Sequence, residues 1–296
     1  MSTLSPKKSL GQHWLFDSGS LEAMSNAAEV QPDDTVLEVG PGLGTLTRVL
    51  LASGASVVAV EFDEALASRL SQNLHKVSSS GLTRGSSRNI SATADAKLHW
   101  IPDQAGNDKT GRLTIINEDI LKFDLMTLPK SYKVAANIPY YLTSNLIRRL
   151  LESSNPPSVM ALLVQKEVAE RIVAQPGNMS ILAVATQFYA EVVLKELVPA
   201  ELFTPPPKVD SQIIQIRRRG HPLFPDVDTK KFFQLVRAGF SEKRKKLRSS
   251  LSGGLHISKE QADQLLKNAN IPADARAQEL SLAQWHDLYL KADTTL

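Results

Sequence analysis

Apolar positions in the first two-thirds of the chain fall into short continuous runs, separated by stretches with apolar residues at helical spacing. Thr35–Val39, Ser56–Val60, Leu113–Ile116, Tyr132–Ala136 and Val159–Val164 read as buried strands, because a short, mostly apolar run of four to six residues suits a sheet covered on both faces. Between them, Leu46, Val49 and Leu50 carry a helix to Gly54, a predicted C-cap. Ala65–Leu74 and Leu142–Leu151 read as helices, and Gln165-Lys166-Glu167 opens another that contains Val168, Ile172 and Val173. Ahead of all these, Ser20 is expected to cap a helix through Val30, with Leu21, Met24, Ala27 and Ala28 on one face. Ser180–Tyr189 is helical in pattern, and Glu191–Val198 and Gln212–Ile216 are two late strands. Strands alternating with helices predict an α/β layer built on a largely parallel sheet. After Arg217-Arg218-Arg219-Gly220 the pattern changes. Residues 221–228, with Pro222 and Pro225, read as a linker to the helices Lys230–Phe240, Lys243–Leu251, Lys259–Asn268 and Leu282–Lys291. The expected division is therefore an α/β domain over 1–220 and a small all-helical domain over 221–296. Residues 78–112 are rich in Ser, Gly, Thr, Asn and Asp, and read as a surface insertion.

Composition narrows the function classes. No apolar run approaches the roughly 20 residues that span a bilayer, and Lys7 and Lys8 are not followed by an apolar segment, so neither a membrane span nor a signal peptide is expected. Cysteine is absent, which excludes disulfides and thiolate chemistry and suits a cytoplasmic location. The net charge of +3 says little as a total. Its clustering says more: Arg237, Lys243, Arg244, Lys245, Lys246 and Arg248 fall within twelve residues, with Glu242 the one acid among them. Such a run is either a solvated helix face or a footprint for nucleic-acid phosphate.

Candidate chemistry sits at the predicted strand ends, where ligands bind in open α/β sheets. The first strand runs into Glu38-Val39-Gly40-Pro41-Gly42-Leu43-Gly44, and glycines there let the backbone turn tightly and approach a ligand. Glu61 lies 21 residues after Gly40, a spacing that suits a carboxylate accepting both hydroxyls of a ribose. Asp119, after the third strand, is either a helix N-cap or an acceptor for an adenine amine. Strand, glycine turn, helix, strand and acid together predict an adenosine-containing cofactor. Asn137-Ile138-Pro139-Tyr140 ends the fourth strand. It is either a turn or a pocket for an exocyclic amine: the Asn137 oxygen and a carbonyl near Pro139 accept N–H groups, and the Tyr140 ring stacks on a base. Phe203, before Pro205-Pro206-Pro207, is either a core plug or the second wall of that pocket.

Taken jointly these stretches resemble the ribosomal RNA adenine dimethyltransferases. The leader Lys8-Ser9-Leu10-Gly11-Gln12-His13-Trp14-Leu15, the glycine turn with Glu61, Asp119, Asn137–Tyr140, Phe203–Ser211 and Phe240–Leu247 follow in family order across nearly the whole chain. The resemblance implies a Rossmann-like S-adenosylmethionine-dependent methyltransferase domain with a helical C-terminal domain that binds RNA. It implies that His13, Leu15, Gly40, Gly42, Glu61, Asp119 and Asn137 line the cofactor site, and that Asn137, Pro139, Tyr140 and Phe203 hold the target base. No metal is expected, since displacement at a sulfonium needs none. The implied substrate is small-subunit rRNA within an immature ribosomal subunit, modified by a monomer. The family usually has Asn at His13 and Phe at Trp14, and its insertion at 78–112 is shorter. Rival readings are a macrolide-resistance enzyme that modifies large-subunit rRNA, a non-catalytic RNA-binding assembly factor on the same fold, and a dinucleotide oxidoreductase. The intact leader and proline loop argue against the first. The intact Asn137–Tyr140 and Glu61 argue against the second, and the third would have no use for the Asn137–Tyr140 corner.

Overall fold

The computed structural model describes residues 11–70, 112–242 and 244–292. The strands are β1 (Trp14–Leu15), β2 (Thr35–Val39), β3 (Ser56–Glu61), β4 (Leu113–Asn117), β5 (Lys133–Asn137), β6 (Val159–Gln165), β7 (Ala190–Val198), β8 (Phe203–Thr204) and β9 (Ser211–Arg218). Among the described residues, seven of them form one sheet in the order β4-β3-β2-β5-β6-β9-β7. β4, β3, β2, β5 and β6 pair in parallel, and β9 runs antiparallel to β6. The apolar runs explain the centre of the sheet: Val36, Leu37, Val134, Ala135, Ala136 and Leu162 are all fully excluded from water. The expected α/β, Rossmann-like class is therefore the fold observed. The chain order reverses between β2 and β5, and ligand crevices open at such a reversal.

The helix predicted from Ser20 through Val30 runs instead over Ser18–Ala27. Asp17 caps it, its carboxylate accepting from the Ser20 N–H at 2.8 Å, so Asp17 takes the cap position in place of Ser20. The leader adds a second, two-stranded sheet. β1 pairs antiparallel with β8, with Trp14 opposite Thr204 and Leu15 opposite Phe203. Residues 71–111, which hold most of the 78–112 insertion, lie outside the described residues, as do residues 1–10 of the leader, Lys243 and residues 293–296.

The chain divides into two compact units. One holds the described residues up to Ala169 together with Val193–Arg217, and the other holds Glu170–Val192 with the residues from Arg218 onward. The second unit is helical. Phe188, in the helix Ile181–Tyr189, stacks on Phe232 at 5.0 Å, and Trp285 stacks on Phe240 at 5.6 Å. The helix predicted over Lys243–Leu251 is observed over Leu247–Leu255. It continues through Gly253-Gly254 because Gly254 lies against Ala238, where a Cβ would come within 2.7 Å of backbone.

Gly44 shows how the glycine turn is built into the first unit. Its φ of +80° is a left-handed conformation, and a Cβ there would stand 2.4 Å from a Leu70 methyl. Gly44→Ala is therefore expected to lower the unfolding free energy by about 1–3 kcal/mol, through backbone strain and overpacking together. Urea titration of the two proteins checks this, and equal midpoints would contradict it.

Candidate active site

Strand register assembles the site. Glu38 of β2 lies opposite Ala59 of β3 and opposite Ala135 of β5. Two residues further along each strand stand Gly40, Glu61 and Asn137, level with one another at the carboxyl edge. Glu61 in turn pairs with Asn117 of β4, two residues before Asp119. A cavity of about 230 Å³ opens there. It is lined by His13, Leu15, Gly40, Gly42, Glu61, Asp119, Asn137, Pro139 and Tyr140, so every residue expected at the cofactor and base sites except Phe203 meets in one place.

Each wall is held by a definite interaction. Gly40 and Gly42 have φ of +66° and +56°, and a Cβ on Gly40 would meet nothing within 4 Å, so the turn leaves open space beside its backbone. Glu61 is 6% exposed. Its Oε2 accepts from the Gly42 N–H at 3.0 Å and its Oε1 from the Asp63 N–H at 2.9 Å. Burial pushes the Glu61 carboxyl above its ordinary range, and these two N–H groups work against that shift. The carboxylate is thus fixed in orientation, and each oxygen keeps a lone pair for a hydroxyl pair. Asp119 begins a turn, and no helix starts there. It lines the cavity, and its Oδ1 accepts from the Leu121 N–H at 2.9 Å. Arg149 ties the loop after Asp119 to the helix Thr143–Glu152 by donating to the carbonyls of Ile120 and Phe123.

Asn137 donates from Nδ2 to the His13 carbonyl at 3.2 Å. That bond orients the amide and leaves Oδ1 as its accepting end. The Tyr140 hydroxyl bonds the Ser211 hydroxyl at 2.8 Å, which fixes the ring, and burial raises the Tyr140 pKa. His13 stacks on Tyr140 with ring centroids 6.0 Å apart, and its Nδ1 lies 2.7 Å from the Pro205 carbonyl.

Phe203 requires a correction. It is 3% exposed, packs in the core cluster with Leu15 and Leu21, and is not among the residues lining the cavity. The β1–β8 pairing draws it inward, so its ring plugs the core and does not face a base.

Sequence reasoning passed over Glu38. It lies 1% exposed in the cavity wall, with Oε2 buried and unpaired. Burial pushes its carboxyl up to about 8; the Thr47 hydroxyl opposes the shift and the charge of Glu61 adds to it. An acid inside an otherwise apolar strand was the available signal.

The basic cluster belongs to the other unit. Arg237, Arg244, Lys245 and Lys246 are exposed, while Arg248 is half-buried and pairs with Asp263 at 3.0 Å. Lys245 forms an ion pair with Glu242. Among the described residues, no group of three or more His, Asp or Glu side chains is placed to hold a metal ion, and no helix is long and apolar enough to cross a membrane.

A sequence model of the ribosomal RNA adenine dimethylases matches residues 3–83 and 95–293. The chain belongs to the ribosomal RNA adenine dimethylase family. The gap in that match, residues 84–94, falls inside the 78–112 insertion. Among curated members, the ribosomal RNA small subunit methyltransferase A of Dehalococcoides mccartyi is 37% identical over 291 residues, 97% of this chain and 89% of the relative. The protein of the same name from Nostoc sp. is 37% identical over 287 residues, 95% of each. Among solved structures, a dimethyladenosine transferase from Plasmodium falciparum shares the fold with a TM-score of 0.73, at 23% identity over 95% of this chain and 98% of that one. The 23S rRNA methyltransferase ErmE aligns with a TM-score of 0.67, at 25% identity over 95% of this chain and 99% of that one.

Glu38 makes the stability of this family member depend on pH. Below the ordinary carboxyl value of 4.5 both folded and unfolded chains hold the proton; between 4.5 and about 8 only the folded chain does. Proton release from the unfolded state therefore removes stability progressively as pH rises through that window. Glu38→Gln is expected to melt at a higher temperature than the parent at pH 8 and to lose that advantage by pH 5. Melting curves across the range test it, and an advantage constant with pH would contradict it.

Proposed function

We propose that this chain transfers methyl groups from S-adenosylmethionine to the N6 amines of two adjacent adenosines near the 3′ end of small-subunit rRNA, acting on the immature ribosomal subunit. The observation that carries the reading is the Asn137 amide. Its nitrogen is committed to the His13 carbonyl, and its oxygen end is left to accept at a cavity walled by a glycine turn and a backbone-anchored carboxylate. The family match and the small-subunit names of relatives at 37% identity support the substrate.

The residues fit the methyl donor. The open face of Gly40 admits a close approach, Glu61 presents two oriented oxygens to a ribose, and the buried carboxyls of Glu38 and Glu61 suit a ligand bearing cationic groups. When bound, the donor supplies an electrophilic methyl on a sulfonium. The chain supplies orientation. An adenine amine is a weak nucleophile because its lone pair is delocalised into the ring. The Asn137 Oδ1 accepts one of its N–H groups. The Pro139 carbonyl already accepts the Leu142 N–H at 2.9 Å, so the Ile138 carbonyl is the backbone acceptor we assign to the second. Both bonds localise the lone pair and aim it. Tyr140, held by Ser211, stacks on the base, a contact contributing about 1–3 kcal/mol. Holding both reactants in line contributes roughly 7–11 kcal/mol. The base must leave its stack to enter. After the first transfer one N–H is gone, so the second proceeds with a single acceptor bond.

Incubation with labelled donor and unmethylated small subunits is expected to place label on two neighbouring adenosines as dimethyladenosine. Label confined to large-subunit RNA would overturn the reading in favour of the ErmE-like activity. Asn137→Ala is expected to keep RNA binding and to lower turnover by about 10²-fold or more, the scale seen when an oriented polar group is lost. Full turnover in that variant would remove the amide from the mechanism.

We assign the exposed cations Arg237, Arg244, Lys245 and Lys246 to RNA phosphate, together with Lys243, which lies outside the described residues. Replacing Arg244, Lys245 and Lys246 by alanine should weaken RNA binding and reduce the slope of log K against log salt by roughly 2–3, at about 0.7–0.9 per phosphate contact. An unchanged slope would make the run a solvated face.

A further inference from the structure

We propose that His13 is a positioning residue for methyl transfer: its ring ties the Phe203–Ser211 loop to the strand that holds the Asn137 amide. The resemblance alone would make His13 a contact to the methyl donor. The bonds observed give it a further role. A carbonyl only accepts, so the 2.7 Å contact between Nδ1 and the Pro205 oxygen puts a proton on Nδ1. The His13 carbonyl accepts the Asn137 Nδ2–H at 3.2 Å. His13 therefore joins Pro205 on one side to Asn137 on the other, across 192 and 124 residues of chain. The next residues carry the tie onward, since Trp14 and Leu15 pair with Thr204 and Phe203. The ring also lies along Tyr140, with planes 21° apart, and the Tyr140 hydroxyl reaches Ser211 at the far end of the same loop. The loop is thus tied at Pro205 and at Ser211 to the two residues to which we assign the target base.

The chemistry gives this tie a purpose. A side-chain amide has two ends of opposite sense. Turned one way, Asn137 offers an oxygen to an adenine amine; turned the other, it offers N–H groups to N–H groups, which repel. The amide is selected by its bond to the His13 carbonyl, and the ring's bond to Pro205 adds a side-chain hold on that carbonyl to the β1–β8 pairing. In this chain histidine stands where the family usually has asparagine. The asparagine Nδ2 and the histidine Nδ1 branch from the same carbon, so asparagine at this position is able to donate the same bond.

The inference rests on the role proposed for Asn137, and its test separates the two. His13→Phe keeps a flat ring beside Tyr140 and removes the donor. It is expected to lower kcat by about tenfold or more, as a small misplacement of a reacting group does, a larger effect than on donor Kd or RNA KM. His13→Asn is expected to recover most of that kcat. Independently of activity, a [15N]asparagine-labelled protein, with the Asn137 side-chain resonances assigned by their absence in Asn137→Ala, should show them shifted in His13→Phe and restored in His13→Asn. Weakened donor binding with kcat retained would make His13 a donor contact and overturn the proposal. So would a Phe variant with parental kcat and unshifted Asn137 resonances, or an Asn variant that recovers neither. If the parent protein methylates no small-subunit RNA, the proposed function fails, while the resonance shifts still decide whether His13 holds the amide. Should His13→Phe fail to fold, the same kcat, Kd and resonance comparison of His13→Asn with His13→Ala decides it.

Discussion

The site depends on the parallel pairing of β2 with β5. These strands are distant in sequence but adjacent in the sheet, with Glu38 opposite Ala135. That register brings Gly40 level with Asn137, about 5 Å away across the sheet. A glycine turn alone makes a place for a phosphate or a nucleoside, and an amide at a strand end alone is a turn residue. Brought level, they form two walls of one crevice. A shift of one residue in the pairing would move the amide roughly 3.3 Å along the strand and out of line with the turn. The fully buried flanks Val36, Leu37, Val134 and Ala135 hold that register, because any slip would expose apolar surface on both faces.

The second constraint is the leader. β1 is only two residues long, too short to hold itself, and it stays in place through β8, which lies nearly two hundred residues away. Leu15 is 2% exposed and Phe203 3%, so the pair is cemented by burial more than by its few hydrogen bonds. This far-reaching closure explains why Phe203 could not serve as a wall of the base pocket. A ring cannot both fill the core beneath the leader and face a cavity. The leader and the loop 203–211 are in effect one structural element made from two ends of the first unit, and the glycine turn, the amide and the tyrosine line the cavity beside it.

What could be read from the chain alone follows from the range of the forces involved. Continuous apolar runs report burial directly, so β2, β3, β5 and β6 were legible, and so was the glycine turn with its acid, because both are local in sequence. Asp17 displacing Ser20 as a cap turns on a competition between neighbouring side chains that no periodicity records. The helix running through Gly253 and Gly254 is set by Ala238 across the helix packing, a contact outside any local window. Asp119 was ambiguous for a sound reason: its one carboxylate caps a turn and faces the cavity together. Glu38 was overlooked because a lone acid in a strand usually faces water, and only the assembled sheet closes it off at 1% exposure.

The titratable groups around the cavity argue for how the chemistry is done. A general base near neutral pH would need a group that exchanges its proton there and reaches the amine. Tyr140 is pushed the wrong way, since burial raises its pKa and its hydroxyl is engaged with Ser211. Glu61 accepts a backbone N–H on each oxygen, which fixes its direction toward a ligand. Glu38 is protonated at neutral pH until positive charge arrives beside it. The group at the strand end is an amide, which neither gains nor loses a proton. Each residue at this edge of the sheet is thus arranged to fix a direction. For a nucleophile whose weakness is a delocalised lone pair, direction is what it lacks, and the aminium formed on methylation is acidic enough to release its proton to water unaided.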